Sequence, residues 1–360
     1  MSFPSVLIIG SGGVGTIASY SLCFNKKATV TSVLRSSYDI VTEKGFEIDS
    51  VDYGKVTGFR PHNIAKSLDD AAQYGPFDYV LVSTKNVADM SPLVAEVIAP
   101  VVTKTAGANT TVVLLQNGIE IEDPIIKAFP GHVVLSGISM ISSILSGGNH
   151  VEHSYIELAT IGYVDNKITP ATDQEAIAKK FIEIYSTRNA NGTPINQITY
   201  NDNVRLGRWR KLVYNASFNS VCAMTRLDTT RVALSGNREQ WVIPIMKEIV
   251  LLAEADGNKL PETIIDNMVE GDKEEEYYKP SMLVDVLADR PMEVEVILGN
   301  TIRIGENLGY GDRIPYLKLV YRVLKGTQYG ILERMGGAFK LPESRGLTEG
   351  KSYEDFRLTK

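Results

Sequence analysis

The chain has 360 residues, of which 44% are hydrophobic and 22% are charged, and its formal net charge is -6. This length exceeds one comfortable hydrophobic core, and the negative charge gives no reason to expect nucleic acid or an anionic membrane as a partner. Two cysteines, no signal peptide and no long apolar span predict a cytoplasmic protein. Four histidines without close pairing predict no metal site.

The N-terminal half alternates short apolar runs with helical segments. Strands are predicted at 6–9, 29–34, 78–83, 110–116 and 132–137, helices at 14–24 and 91–99, and further strand-like segments near 150–163 and 195–200. Continuous apolar strands separated by helices are typical of a parallel sheet covered on both faces. We therefore predict an α/β fold, with a Rossmann-type doubly wound domain over residues 1–200.

The sequence becomes mainly helical after about residue 203. Helices are predicted at 204–225, 237–255, 281–289, 293–308 and 315–326, and the charged stretch 270–280 is predicted to be a solvated loop. These segments indicate an all-helical C-terminal domain over 201–330. The remaining residues, 331–360, are polar and glycine-rich and are predicted to form a loosely attached extension.

A glycine motif follows the first predicted strand. It is a G-x-G-x-x-G between an apolar strand and an apolar helix, formed by Gly10, Ser11, Gly12, Gly13, Val14 and Gly15. Gly10 permits a tight turn, Gly12 lets the backbone approach a pyrophosphate, and Gly15 allows close packing of helix on strand. The motif predicts a dinucleotide site; a plain glycine-rich turn is the alternative.

The end of the second strand favours NADP over NAD. An NAD site usually carries an acid there, whereas this chain has Arg35, followed by Ser36 and Ser37. A guanidinium with two hydroxyls suits a 2′-phosphate. Asp39 keeps NAD open as an alternative, and a solvated surface charge is the ordinary interpretation of Arg35.

Two other strand ends carry polar residues at the edge where doubly wound sheets bind ligands. Lys85 follows "VLVST" and is placed to contact a cofactor phosphate or ribose, and Asn117 follows "VVLLQ" and is placed to bind ribose hydroxyls or substrate. An exposed lysine and an Asn-Gly turn are the ordinary alternatives.

A polar stripe crosses the apolar segment "KLVYNASFNS". Lys211, Asn215 and Asn219 recur at every fourth position. Four residues make about 400° of α-helix, so the three side chains stay within about 80° of one another. Burial lowers the pKa of a lysine and makes it a usable proton donor near neutral pH. The alternative is a solvated face of an amphipathic helix.

Several motifs in order resemble the ketopantoate reductase (2-dehydropantoate 2-reductase) family, over about residues 5–326. They are "IIGSGGVG", Arg35, "STK", "LLQNG", "RWRKLVYNASFN", "PSMLVDVLADRPMEVEVILG" and "GYGDRIPYLKLVY". The resemblance implies a ligand cleft between a dinucleotide-binding domain and a helical domain.

The resemblance also implies roles for individual residues. Lys211 matches the general acid, and Glu293 matches an acid that closes the site and contacts the cofactor. Substrate-binding positions are matched by Asn117, Asn215, Asn219 and Ser281. Cofactor-binding positions are matched by Gly10 to Gly15, Lys85, Asn117 and Ser142, the last in a loop after "VVLSG" where the family has alanine. A helix N-cap at Ser281 and a solvated Glu293 are the ordinary alternatives.

The expected activity is NADPH-dependent reduction of 2-dehydropantoate to (R)-pantoate, a step of pantothenate biosynthesis. Hydride goes to the C2 carbonyl carbon, and Lys211 donates the proton. Ser220 replaces a frequent family proline, and Thr229 replaces a substrate-binding asparagine. These departures leave open another 2-oxo acid or ketone, oxidation of a hydroxy acid, or a catalytically silent NADP-binding module. A small-molecule substrate is the expected partner, and the helical domain is compatible with a homodimer.

Overall fold

A computed structural model describes residues 3–104, 110–273 and 275–336. The described residues divide into two compact units. The first contains residues up to Lys85 together with 94–116 and 121–204, and the second contains 86–93, 117–120 and the chain from Arg205. The main division therefore falls at 204/205, close to the predicted boundary near 200, but two short segments of the N-terminal half belong to the second unit.

The first unit is built on a ten-stranded sheet. Its strands are β1 (Ser5–Ile9), β2 (Thr29–Val33), β3 (Phe46–Ser50), β4 (Gly54–Phe59), β5 (Asn63–Ala65), β6 (Tyr79–Val82), β7 (Thr111–Leu114), β8 (Val134–Ser146), β9 (His150–Val164) and β10 (Gln197–Tyr200). The order is β4-β3-β9-β8-β7-β6-β1-β2-β5, with β10 paired to β9. Within it, β5-β2-β1-β6-β7-β8 is entirely parallel. Numbered along the chain, these six strands run 3-2-1-4-5-6, the order of dinucleotide-binding doubly wound folds, and this confirms the predicted Rossmann-type fold.

Helices cover this sheet and explain its continuous apolar strands. They are α1 (Gly13–Phe24), α2 (Tyr38–Lys44), α3 (Leu68–Ala71), α4 (Val94–Lys104), α5 (Asp123–Ala128) and α6 (Ala171–Tyr185). Val6 and Ile8 of β1 pack in one buried cluster with Leu22 of α1 and Phe181 of α6. Because a strand covered on both faces has no solvated side, its sequence shows no alternation.

In the antiparallel part of the sheet, the strand predicted near 150–163 is confirmed as β9, β8 is longer than predicted, and β3 and β4 were missed. The strand predicted at 132–137 continues to Ser146 because β9 pairs with β8 along almost its whole length. β3 and β4, which have no counterpart in the prediction, carry polar residues such as Glu47, Asp49 and Lys55. Strands of this composition lack the apolar runs by which the others were recognised.

The second unit contains helices and no strand among its described residues. Its α-helices are α7 (Val204–Tyr214), α8 (Ser220–Thr225), α9 (Thr229–Leu234), α10 (Ile243–Ala255), α11 (Ile264–Glu270), α12 (Ser281–Leu287), α13 (Asn300–Asn307) and α14 (Pro315–Arg334). Three wider π-helical turns interrupt them at Asn215–Asn219, Arg238–Val242 and Glu295–Gly299. The helical C-terminal domain is thus confirmed, although the predicted helix 204–225 is an α-π-α succession.

The last helix corrects the predicted start of the C-terminal extension. α14 runs to Arg334, and Ile331 and Leu332 are buried at 1% and 3% exposure, so residues 331–334 are part of the helical unit. The rest of the predicted extension, from 337 on, lies outside the described residues. No helix within the described ranges has the length and apolar character needed to cross a membrane.

Candidate active site

The glycine motif forms a tight connection between β1 and α1. Gly10 has φ +104°, and a Cβ added there would lie 2.4 Å from the backbone nitrogen of Thr84. A Cβ on Gly15 would lie 1.9 Å from the carbonyl oxygen of Gly10. Both positions therefore require glycine for the turn and for the close approach of α1 to the strand.

The N-terminus of α1 fits the phosphates of a dinucleotide. Gly12 is the N-cap residue, no side chain caps the helix, and its first turn contains no acid. A Cβ added to Gly12 would meet no described atom within 4 Å. The backbone at Gly12 is therefore open to close approach, and the uncapped first turn of the helix offers N–H groups that suit an anionic pyrophosphate.

The structure also places the three remaining members of the motif, Ser11, Gly13 and Val14. A Cβ on Gly13 would lie 2.2 Å from the carbonyl oxygen of Ser143 on β8, so the absence of a side chain there is explained by contact of α1 with the sheet. Val14 is partly buried in the first turn of α1. Ser11 donates from Oγ to the carbonyl oxygen of Val33 at 3.0 Å, which fixes the loop to the end of β2.

Arg35 and Lys85, also predicted to bind the cofactor, follow the two strands on either side of β1. β1 pairs in parallel with β2 on one side and β6 on the other, so the three strands end at the same edge of the sheet. Arg35 and Ser36 follow β2 and are exposed, whereas Ser37 is buried at 4% exposure. Lys85 follows β6 and is also exposed. The edge thus carries two basic side chains beside the glycine loop.

The sequence predicts Ser142 in a loop at the end of a strand, and the structure shows that this prediction is wrong. Ser142 lies within β8, opposite Tyr155 of β9, and its Oγ accepts a hydrogen bond from Ser154 Oγ at 3.0 Å. The reason is the long pairing with β9, which continues the strand through this position.

In the second unit, Lys211 lies in the last turn of α7 and is partly buried. Burial lowers the pKa of its ammonium group to about 8. The positive charge of Arg208 acts in the same direction, while the carboxylate of Glu293 opposes both. A lysine with this pKa is close to the range in which proton donation at neutral pH is efficient.

Glu293 joins the polar residues that surround Lys211. Its carboxylate is buried at 4% exposure and accepts two hydrogen bonds, one from the backbone N–H of Asn86 and one from Asn117 Nδ2, each at 3.0 Å. Glu293 is therefore not the solvated carboxylate of the ordinary interpretation. The structure brings Asn117, Lys211 and Glu293 into one cluster, although they are far apart in sequence.

The polar stripe lies on a helical segment, as predicted, but part of this segment is not an α-helix. Asn215–Asn219 is a π-helical turn, which contains more residues per turn than an α-helix. Four residues along it fall slightly short of one turn instead of exceeding it, so the stripe does not drift steadily around the axis. π-turns of this kind occur frequently at functional sites.

The two asparagines of the stripe are used differently. Asn219 Oδ1 accepts from the backbone N–H of Met282 at 3.1 Å, and Asn219 Nδ2 donates to Ser281 Oγ at 3.3 Å. The side-chain amide of Asn215, which is buried at 8% exposure, makes no hydrogen bond within the described ranges. Asn219 therefore anchors the start of α12, whereas the amide of Asn215 remains available to a ligand.

Ser281 is not the N-cap of α12. Pro280 occupies the cap position, and Ser281 is the first helical residue and is exposed. Thr229, at the position of the missing asparagine, is buried at 2% exposure, and its backbone N–H donates to the carbonyl oxygen of Tyr278 at 3.0 Å.

Several residues of this region were not predicted from the sequence, among them Arg208, Lys325 and Gln328. Arg208 Nη1 donates to the carbonyl oxygen of Gly118 at 3.3 Å. Lys325 and Gln328, on α14, bind the carboxylate of Asp89 at 3.0 and 3.2 Å. A signal existed for Arg208, because a basic residue three positions before a functional lysine lies on the same helix face. The contacts of α14 with residue 89 span more than 200 positions and have no local signal.

Two family models match the chain and decide its family. The model described as Ketopantoate reductase PanE/ApbA matches residues 6–166, and the model described as Ketopantoate reductase PanE/ApbA C terminal matches residues 203–328. The protein belongs to the ketopantoate reductase family. Members of this family are oxidoreductases, and the resemblance found in the motifs is confirmed.

Individual relatives and solved structures are similar to the chain over most of its length. An uncharacterized protein from Saccharomyces cerevisiae is 35% identical over 92% of this chain and 95% of its own length. The crystal structure of 2-dehydropantoate 2-reductase from Methylococcus capsulatus has a TM-score of 0.72 and 31% identity over 91% of this chain and 97% of that chain. D-mandelate dehydrogenase, solved with NADH and anilino(oxo)acetate, shares the fold with a TM-score of 0.73 and 18% identity over 91% and 99% of the two chains.

Proposed function

We propose that this protein catalyses the NADPH-dependent reduction of 2-dehydropantoate to (R)-pantoate. The observation that carries the proposal is Lys211, whose ammonium group has a pKa lowered to about 8 and is close enough to Glu293 to feel its charge. Glu293 in turn accepts a hydrogen bond from Asn117. A proton donor near neutral pH is what carbonyl reduction requires, because negative charge develops on the carbonyl oxygen as the C–H bond forms.

The polar residues of the second unit that make up the proposed site are Asn117, Lys211, Asn215, Asn219, Ser281 and Glu293. Lys211 Nζ hydrogen-bonds the carbonyl oxygen and transfers its proton there. Glu293 holds Asn117 and the backbone of Asn86 in place through its two accepted hydrogen bonds. The amide of Asn215 binds a substrate oxygen, and Asn219 keeps the hydroxyl of Ser281 in place for the substrate carboxylate.

The residues of the first unit are proposed to hold the nicotinamide cofactor. The open backbone at Gly12 and the uncapped N-terminus of α1 receive the pyrophosphate, and Arg35 pairs with a 2′-phosphate. Lys85 adds a second positive charge at the same edge of the sheet. The bound cofactor supplies the hydride.

A second candidate is reduction of another 2-oxo acid or ketone by the same residues. The observation in its favour is Thr229, because a short hydroxyl side chain replaces the amide that the family uses for substrate. The two candidates share the cofactor and the proton donor and differ only in the group that the substrate carries beyond its carbonyl.

One assay tests both candidates. NADPH absorbance is followed with 2-dehydropantoate and with a panel of other 2-oxo acids, and the series is repeated with NADH. We expect the highest kcat/KM with 2-dehydropantoate and NADPH. Arg35→Asp should weaken NADPH binding and thereby reduce the preference for NADPH over NADH. Faster turnover of a different 2-oxo acid favours the second candidate, equal use of NADH and NADPH contradicts the role of Arg35, and tight NADPH binding without turnover contradicts both candidates.

A further inference from the structure

Arg208 is a buried cation beside the proton donor. It lies on α7, three residues before Lys211, and only 3% of it is exposed. Residues three apart on a helix are surface neighbours, so the two basic side chains lie on the same side of α7. A buried guanidinium keeps its charge, because arginine does not deprotonate in proteins.

The guanidinium also holds the loop that carries Asn117. Arg208 Nη1 donates to the carbonyl oxygen of Gly118, the residue after Asn117. On the other side of this loop, the backbone N–H of Ile119 donates to the carbonyl oxygen of Val296 at 3.0 Å. The position of Asn117 relative to Glu293 thus depends on contacts from both α7 and the Glu295–Gly299 turn.

Arg208 and Glu293 have opposite effects on the pKa of Lys211. The positive charge of Arg208, on the same helix, lowers the pKa of Lys211, and the carboxylate of Glu293, in the segment before the Glu295–Gly299 turn, raises it. The carboxylate of Glu293 also accepts hydrogen bonds from the backbone N–H of Asn86 and from Asn117 Nδ2. In a poorly solvated environment the repulsion between two nearby cations is weakly screened and therefore affects proton affinity.

We propose that Arg208 is a positioning residue of this active site with two effects. It fixes the Gly118 carbonyl and hence Asn117, and its charge keeps the Lys211 ammonium group ready to release its proton to substrate. The inference rests on the proposed function, in which Lys211 is the proton donor.

The first test compares pH profiles of kcat/KM for the wild type, Arg208→Gln and Arg208→Lys. Reduction requires protonated Lys211, so the profile falls on the alkaline side as that group loses its proton. We expect Arg208→Gln to move this fall to higher pH by about one unit, because the repelling charge is gone. Arg208→Lys keeps the charge and should restore the wild-type profile. Reduced activity with an unmoved alkaline fall in Arg208→Gln would reduce Arg208 to a structural residue and overturn the inference.

A second measurement does not depend on turnover. Protein labelled at the lysine ε-carbon with ¹³C is titrated by NMR, and the Lys211 signal is identified by its loss in Lys211→Met. The midpoint should rise in Arg208→Gln and stay near the wild-type value in Arg208→Lys. A raised midpoint in a protein that reduces no 2-oxo acid supports the charge effect and contradicts the proposed function. An unchanged midpoint in a protein whose activity requires Lys211 contradicts the inference and leaves the proposed function intact.

Discussion

Each unit of the molecule contains an ionisable side chain whose pKa is shifted by burial. The two side chains differ in the hydrogen-bonding capacity of the groups around them. In the first unit, Glu157 is buried at 1% exposure and accepts hydrogen bonds from Ser21 Oγ at 2.7 Å, Tyr185 Oη at 2.5 Å and Asn196 Nδ2 at 2.9 Å. In the second unit, Lys211 lies beside Asn215, whose amide makes no hydrogen bond within the described ranges.

The difference shows how a structural buried charge is distinguished from a functional one. Burial raises the pKa of Glu157, and three neutral donors partly compensate by bonding its oxygens. Such a carboxylate has its hydrogen-bonding capacity used by the protein itself. Lys211, in contrast, has a lowered pKa next to polar groups that still have capacity for a ligand. A shifted pKa alone would have ranked the two sites equally.

The largest expected effect comes from removing the proton donor. Lys211→Ala should lower kcat by about 10²–10⁴-fold, the usual contribution of a general acid, with little change in NADPH binding. Lys179→Ala is the matched control, because Lys179 is an exposed helical lysine of the first unit paired with Glu175. Steady-state kinetics and a cofactor titration on both variants are sufficient. A kcat near the wild-type value in Lys211→Ala would remove Lys211 from the mechanism.

A smaller effect separates the two asparagines of the stripe. Asn215→Ala should lose about 1–3 kcal/mol of transition-state stabilisation, measured as a lower kcat/KM. Its thermal midpoint should hold or rise, because alanine is the better helix former. Asn219→Ala should lose activity and also about 1 kcal/mol of stability, because the backbone N–H of Met282 loses its acceptor. Equal losses of stability in the two variants would assign the whole stripe to packing.

The smallest expected effect concerns the pH dependence of stability. Glu157 has a raised pKa in the folded state, so its contribution to stability is present below the ordinary carboxyl pKa and is lost as pH rises through the folded-state pKa. Glu157→Gln cannot titrate and should lack this loss. Urea unfolding at several pH values, compared with exposed Glu152→Gln on the same strand, measures it. Parallel curves for wild type and Glu157→Gln would show that Glu157 does not titrate differently on folding.

The parts of the fold that follow from short stretches of sequence were predictable. The β1–glycine loop–α1 unit was recognised because an apolar strand, three spaced glycines and an apolar helix are contiguous in sequence. The contacts that complete the site are distant: Asn86 and Asn117 bind Glu293 across 207 and 176 positions. No local pattern encodes such contacts, and only the family resemblance indicated Glu293.

Burial of polar residues was unpredictable for the same physical reason. In the sequence "SYIELATIGY", Glu157 has the appearance of a polar residue on a solvated strand face. Its donors come from α1, α6 and the segment before β10, which meet only in the folded unit. The π-turns were missed as well, because an extra residue in a helical turn is stabilised by tertiary packing and not by helix propensity.

The π-turn at Asn215–Asn219 sets where the second amide of the stripe lies around the helix axis. In a regular α-helix the eight residues from Lys211 to Asn219 would turn by about 800°, so the two side chains would lie about 80° apart. The π-turn takes up one extra residue and brings Asn219 back toward the Lys211 direction, close to the position that a seven-residue α-helical spacing would give. Deletion of Ala216 should therefore remove the π-turn and leave the stripe nearly in line, whereas a regular α-helix that kept every residue would turn Asn219 away from Lys211.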